Sequence, residues 1–86
     1  MELDELSKEI LGLLVFEESF VHICEECSIK DKNIVSDVLR VLIVRDLVRV
    51  FEERDDKLVA VNYVEPDEYK NQFFRISAKG LKTISL

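Results

Sequence analysis

The hydrophobic period changes once along this chain, and that change limits what it can fold into. Up to about residue 45 the aliphatic side chains recur at three- and four-residue intervals, and from Leu47 they alternate. Those are the periods of a helix and of a strand. A length of 86 residues suits one domain, so 1–86 is read as a single unit in which helices and antiparallel strands share a core, the α+β class. A core this small is marginal, which makes pairing with a second copy an easy remedy.

The first helix reads from about Leu3 to Glu18, with Leu3, Leu6, Ile10, Leu13 and Leu14 on one stripe. Ser19 is a suitable N-cap for a second helix, Phe20 to Cys27, and Asp31 for a third, Lys32 to Arg45. In the third helix Val35, Val38, Leu39 and Leu42 point inward, while Asn33, Ser36, Asp37, Arg40 and Val44 point outward. Strands are predicted over Leu47–Phe51, Lys57–Val64 and Gln72–Ser77, with turns at Glu53–Asp56 and Glu65–Asp67. Ala78-Lys79-Gly80 opens a last helical turn. The predicted architecture is three helices, then an antiparallel β-meander with a short C-terminal helical turn.

Charge is distributed unevenly. The formal net charge is −6, and residues 1–29 carry eight acids against one lysine. A surface that meets a polyanion must therefore lie later in the chain. No transmembrane or targeting segment is read, so the expected location is the cytoplasm, with no membrane partner. There, two cysteines are expected as thiols.

Cys24-Glu25-Glu26-Cys27 has CxxC spacing, open to a redox pair or half a zinc site. Zinc needs four ligands, and no second CxxC exists. His22 lies ~160° around the helix from Cys24. Glu25 and Glu26 would raise a thiol pKa rather than lower it. Both cysteines are therefore read as small apolar residues, Cys24 at a core position, with no metal or cofactor. One histidine and no Gly-rich loop or nucleophile elbow leave no catalytic constellation, and no enzyme is expected.

Four segments resemble, in order, a winged helix-turn-helix domain of the kind found in MarR-like transcriptional regulators. Leu6–Leu14, LSKEILGLL, is similar to the first helix, and Phe20–Ile29, FVHICEECSI, to the second helix and turn. Val35–Val48, VSDVLRVLIVRDLV, resembles the recognition helix with its closing hydrophobic pair, and Phe74–Ile84, FRISAKGLKTI, the return strand with Lys79 and Gly80 in register. The resemblance implies a third helix lying in the DNA major groove and a β-hairpin wing touching phosphates or the minor groove. Carried over by position, Lys32, Asn33, Ser36 and Arg40 become groove contacts, and Lys30, Arg54 and Lys57 phosphate contacts. The implied partner is double-stranded DNA, bound by a homodimer.

Three features depart from that pattern. Asp37 sits within the groove face, Glu52, Glu53, Asp55 and Asp56 crowd the wing tip, and Asp46 replaces the family's glycine, so the helix end is expected to differ. The helix also carries apolar residues beyond its core stripe. Ile34, Val41, Ile43 and Val44, together with Val61 on the second strand, are candidates for a dimer or partner interface. This leaves a second reading open: a winged-helix protein-interaction module that uses those residues and the 57–64 strand edge instead of DNA.

Overall fold

The computed structural model describes residues 3–61 and 72–84. Asp4 starts the first helix, α1 (Glu5–Leu13). Its carboxylate accepts the Ser7 N–H at 2.7 Å, satisfying one of the donors a helix N-terminus leaves open. The helix ends earlier than its apolar stripe predicted. Its C-cap, Leu14, gives its carbonyl to the Ile76 N–H at 2.7 Å, in the last described strand. Glu18–Ser19 then form a short strand, β1, where continued helix was expected.

The next two helices start on the residues their sequences point to. Ser19 caps α2 (Phe20–Glu26) by accepting the His22 N–H. Asp31 caps α3 (Lys32–Val44) by accepting the N–H groups of Asn33 and Ile34. At the far end of α3, Asp46 adopts φ 61°. Its N–H donates to the Ile43 carbonyl at 3.0 Å, and that of Leu47 to the Leu42 carbonyl at 2.9 Å. Those two bonds make a Schellman stop. Asp46 thus takes the left-handed conformation that glycine favours, as a short polar side chain can.

Strand β2 (Val48–Arg54) reaches past its predicted end and turns tightly into β3 (Lys57–Val61). The two turn residues, Asp55 and Asp56, both have positive φ, 50° and 64°, as a two-residue hairpin loop that matches strand twist requires. The remainder of the predicted second strand, 62–64, and the turn at Glu65–Asp67 lie outside the described residues. Strand β4 (Gln72–Ile76) leads into α4 (Ala78–Ile84), a helix of 7 residues rather than a single turn.

The described strands lie in the order β1-β4-β2-β3, so the meander is replaced. β4 inserts between β1 and β2, and β3 is left at an edge. Burial explains the choice. Val48 and Val50 of β2 need apolar neighbours on the core face, and β4 supplies Ile76 opposite Val48 and Phe74 opposite Val50. β3 is exposed from Lys57 to Ala60. Ile10, Leu11, Leu14, Ile23, Val35, Leu39 and Leu42 close the core from the helical side. Arg49, Phe51, Phe73 and Arg75 alternate onto the opposite face of the sheet.

The two ends of this layer are tied by Ser77 and Gly80. Ser77 donates its N–H to the Leu47 carbonyl at 2.9 Å and its hydroxyl to the Asp46 carbonyl at 2.5 Å. The same hydroxyl accepts the Gly80 N–H at 2.9 Å. A Cβ on Gly80 would lie 2.3 Å from the Leu47 carbonyl oxygen and 2.6 Å from Ile76 Cγ1, so only glycine fits. Gly12 is the contrast: exposed on α1, with nothing within 4 Å of a Cβ. Gly80→Ala should destabilise by about 1–3 kcal/mol through overpacking, whereas Gly12→Ala should stabilise by about 0.5–1 kcal/mol. Urea unfolding of the two variants checks both signs.

Candidate nucleic-acid interface

With Val35, Leu39 and Leu42 fully buried, helical geometry fixes which side of α3 meets solvent. Asn33 and Arg40 lie on its outermost stripe and are exposed, Ser36 beside them is half-buried, and Lys32 is exposed in the first turn. Arg40 has no hydrogen-bond or ion-pair partner among the described residues. Asp37 is exposed on the same stripe, where it would repel phosphates. The polar stripe is interrupted by Val44, which is 78% exposed.

Ile34 and Val41 form an adjoining flank, 43% and 46% exposed. Of the residues expected at a partner interface, these two and Val44 face solvent. Ile43 and Val61 do not: both are half-buried against the core. They line an open cavity of about 500 Å³ together with Val48, Val50 and Ser77. Ile43 lies on the opposite flank of α3 from Val41, so these five residues are divided between two places.

The expected phosphate contacts are also divided. The Lys30 ammonium donates to the Glu25 carbonyl at 2.5 Å, which helps close the C-terminus of α2. Arg54 is held by Glu52 at 2.7 Å. Lys57 faces Arg54 across the hairpin, with the exposed Glu53, Asp55 and Asp56 around it. The hairpin tip is therefore acidic on balance, which weakens its hold on phosphates, since affinity for nucleic acid rests largely on neutralising them.

Cys27, not Cys24, takes the core position. It is 0% exposed, and its thiol donates to Glu9 Oε1 at 3.2 Å. Cys24 is half-buried in a cleft of about 550 Å³ lined by Phe20, Val21, Lys30 and Lys32. Burial pushes both thiols above their ordinary pKa, with Lys32 and Lys30 partly opposing this at Cys24. That is the reverse of a reactive thiolate site. The expected raising by Glu25 and Glu26 is replaced by burial, aided at Cys27 by Glu9. Among the described residues no cluster of His, Cys, Asp or Glu could hold a metal ion, and no helix is long and apolar enough to cross a membrane.

Two carboxylates that sequence reasoning passed over, Glu9 and Glu18, bond to α2 and the turn that follows it. Glu9 Oε1 also accepts the Ser28 N–H at 3.0 Å and its hydroxyl at 2.9 Å, pinning α1 to the turn between α2 and α3. Those donors, the Ser28 N–H first and the Cys27 thiol next, hold the Glu9 carboxyl below its ordinary value of 4.5. Glu18 bonds His22 Nδ1, and Glu26 stands 3.6 Å from Nε2. The Glu18 bond raises the His22 pKa above 6.5, with partial burial opposing it. The only sequence signal for either was spacing: Glu18, His22 and Glu26 stand at intervals of four, while Glu9 reaches 18 residues along the chain.

Set against protein-family models, curated proteins and solved structures, the chain matches none.

These two clusters predict opposite pH limbs. A raised His22 pKa contributes stability that is fully present below pH 6.5 and is lost as pH rises through the folded value. A lowered Glu9 pKa contributes stability present above pH 4.5 and lost as pH falls through the folded value. Thermal midpoints measured across pH should show His22→Gln closing its gap to the parent on the alkaline side. Glu9→Gln should close its gap on the acid side.

Proposed function

We propose that this chain is a winged-helix transcriptional regulator that lays α3 in the major groove of duplex DNA. The observation that carries the reading is the solvent-facing stripe of α3, where Asn33 and Arg40 are exposed above a helix anchored by α1 and α2. Arg40 has the guanidinium fork that suits guanine, Asn33 the amide that suits adenine, and Ser36 a hydroxyl for either base or phosphate. Lys32, in the first turn, is the best placed phosphate contact of this helix. Arg54 is engaged by Glu52, so the hairpin acts as a weak wing, and Lys30 is engaged by the Glu25 carbonyl, so few phosphates are neutralised and affinity should be modest with a shallow salt dependence.

The flank of Ile34 and Val41, beside that stripe, supplies the surface for a second copy.

A second reading is favoured by two observations. The 78% exposure of Val44 and the acidic hairpin tip also suit a protein-interaction module with the same fold and no DNA contact, in which the apolar flank meets another protein.

Fluorescence anisotropy with a labelled duplex, titrated at several salt concentrations, separates the two. The DNA reading expects binding that weakens with salt at a slope of about 0.9 per phosphate contacted, and a loss of about tenfold in Arg40→Ala, within the range for one guanine contact. Val41→Asp should break self-association seen by sedimentation. No duplex binding at low salt would overturn the DNA reading and leave the interaction module.

A further inference from the structure

The outer face of the sheet, turned away from the helices, places two arginines opposite each other. Arg49 of β2 and Arg75 of β4 are in register, and both are exposed. Neither has a hydrogen-bond or ion-pair partner among the described residues. Directly opposed side chains have Cβ atoms about 4.5–5.5 Å apart, and like charges at that separation repel. The other facing cations in the sheet, Arg54 and Lys57, are relieved by Glu52, which holds Arg54 at 2.7 Å. No carboxylate among the described residues is ion-paired with Arg49 or Arg75, and an anion from outside would satisfy both.

The next row on the same face is aromatic. Phe51 and Phe73 are also in register, one side-chain repeat from the arginines, roughly 6.8 Å along the strands. Both rings are half-buried. Their outer neighbours in the row are small: Ala60 beside Phe51 and Ser19 beside Phe73. Neither neighbour is large enough to cover a ring. Two guanidinium groups with two adjacent rings combine a hold for phosphate with a platform for stacking. Bases within a duplex have both faces occupied by their neighbours, so such a platform suits unpaired ones. α3 packs on the opposite face of β2, against Val48 and Val50, and a duplex held by α3 would not reach this surface.

We infer that the outer sheet face is a second nucleic-acid surface, taking a single strand, with Phe51 and Phe73 stacking on bases and Arg49 and Arg75 holding the phosphates. It is independent of the α3 reading and uses different residues. The exposed Glu53, next along β2 on this face, bounds the surface on the hairpin side.

The test is anisotropy of the full chain with a labelled oligothymidine over a salt series. The parent should bind. The double variant Arg49→Gln/Arg75→Gln should bind more weakly and reduce the slope of log K against log salt by about 1.4, the amount for two phosphates on a single strand. Phe73→Leu, which keeps the packing volume but removes the ring, should weaken binding about fivefold or more at unchanged slope. Arg40→Ala should leave oligothymidine binding intact, so failure of the duplex reading and failure of this one are distinguishable. No binding by the parent, or unchanged binding in both variants, overturns the inference. A separate readout guards against an internal partner: the thermal midpoint of Arg75→Gln should equal or exceed the parent's. A clear fall would show that the chain itself neutralises Arg75, and would also overturn the inference.

Discussion

The ladder between β2 and β4, running from Val48 opposite Ile76 to Glu52 opposite Gln72, is the interaction on which the described structure depends. It brings Phe74 and Ile76 beside Val48 and Val50, and these four make the apolar floor against which the helices bury Ile10, Ile23, Leu39 and Leu42. β4 also pairs with Glu18 and Ser19 on its other side, so one strand fixes where α1 ends and where α2 begins. Remove Phe74, 0% exposed, and about 3–5 kcal/mol is lost, a large part of what a domain of this size has.

The same arrangement decides what faces outward. Because β2 and β4 give one face to the core, their alternate residues present Arg49, Arg75, Phe51 and Phe73 on the other. Because α3 gives Val35, Leu39 and Leu42 to the core, it presents Asn33, Arg40 and Val44 to solvent. The two proposed surfaces are thus consequences of one packing solution. They lie on opposite sides of the sheet and draw on different chemistry: hydrogen bonding in a groove at α3, and stacking with charge at the sheet. Both are local exceptions in an acidic chain, which makes long-range attraction for a polyanion weak and leaves short-range contacts to do most of the binding.

Much of the helical half was legible in the residues. Ser19 and Asp31 cap the helices they were expected to cap, since a cap is a bond between residues two or three apart. The core stripe of α3 follows from its period. Legibility ended where partners lie far apart. Leu14 ends α1 because its carbonyl meets Ile76, Glu9 binds Ser28, and Ser77 binds Asp46; none of these is marked by local spacing. The arginine pair was hidden for the same reason. Alternation shows that Arg49 and Arg75 each lie on some face of a strand, but only register shows that they stand opposite each other.

The sequence by itself determined the starts of α2 and α3, the strand character that follows Leu47, the core stripe of α3 and the acidic cast of the chain. These rest on propensity, capping and periodicity, which act over a few residues. Tertiary structure alone decided that β4 lies between β1 and β2, that Cys27 rather than Cys24 enters the core, that Asp46 can stop a helix as glycine would, and that Gly80 must be glycine. Each of those depends on which distant surface arrives beside the residue. Close packing sets that choice, because an interior with no spare volume accepts a strand, a thiol or a missing Cβ only where the neighbouring element leaves room for it.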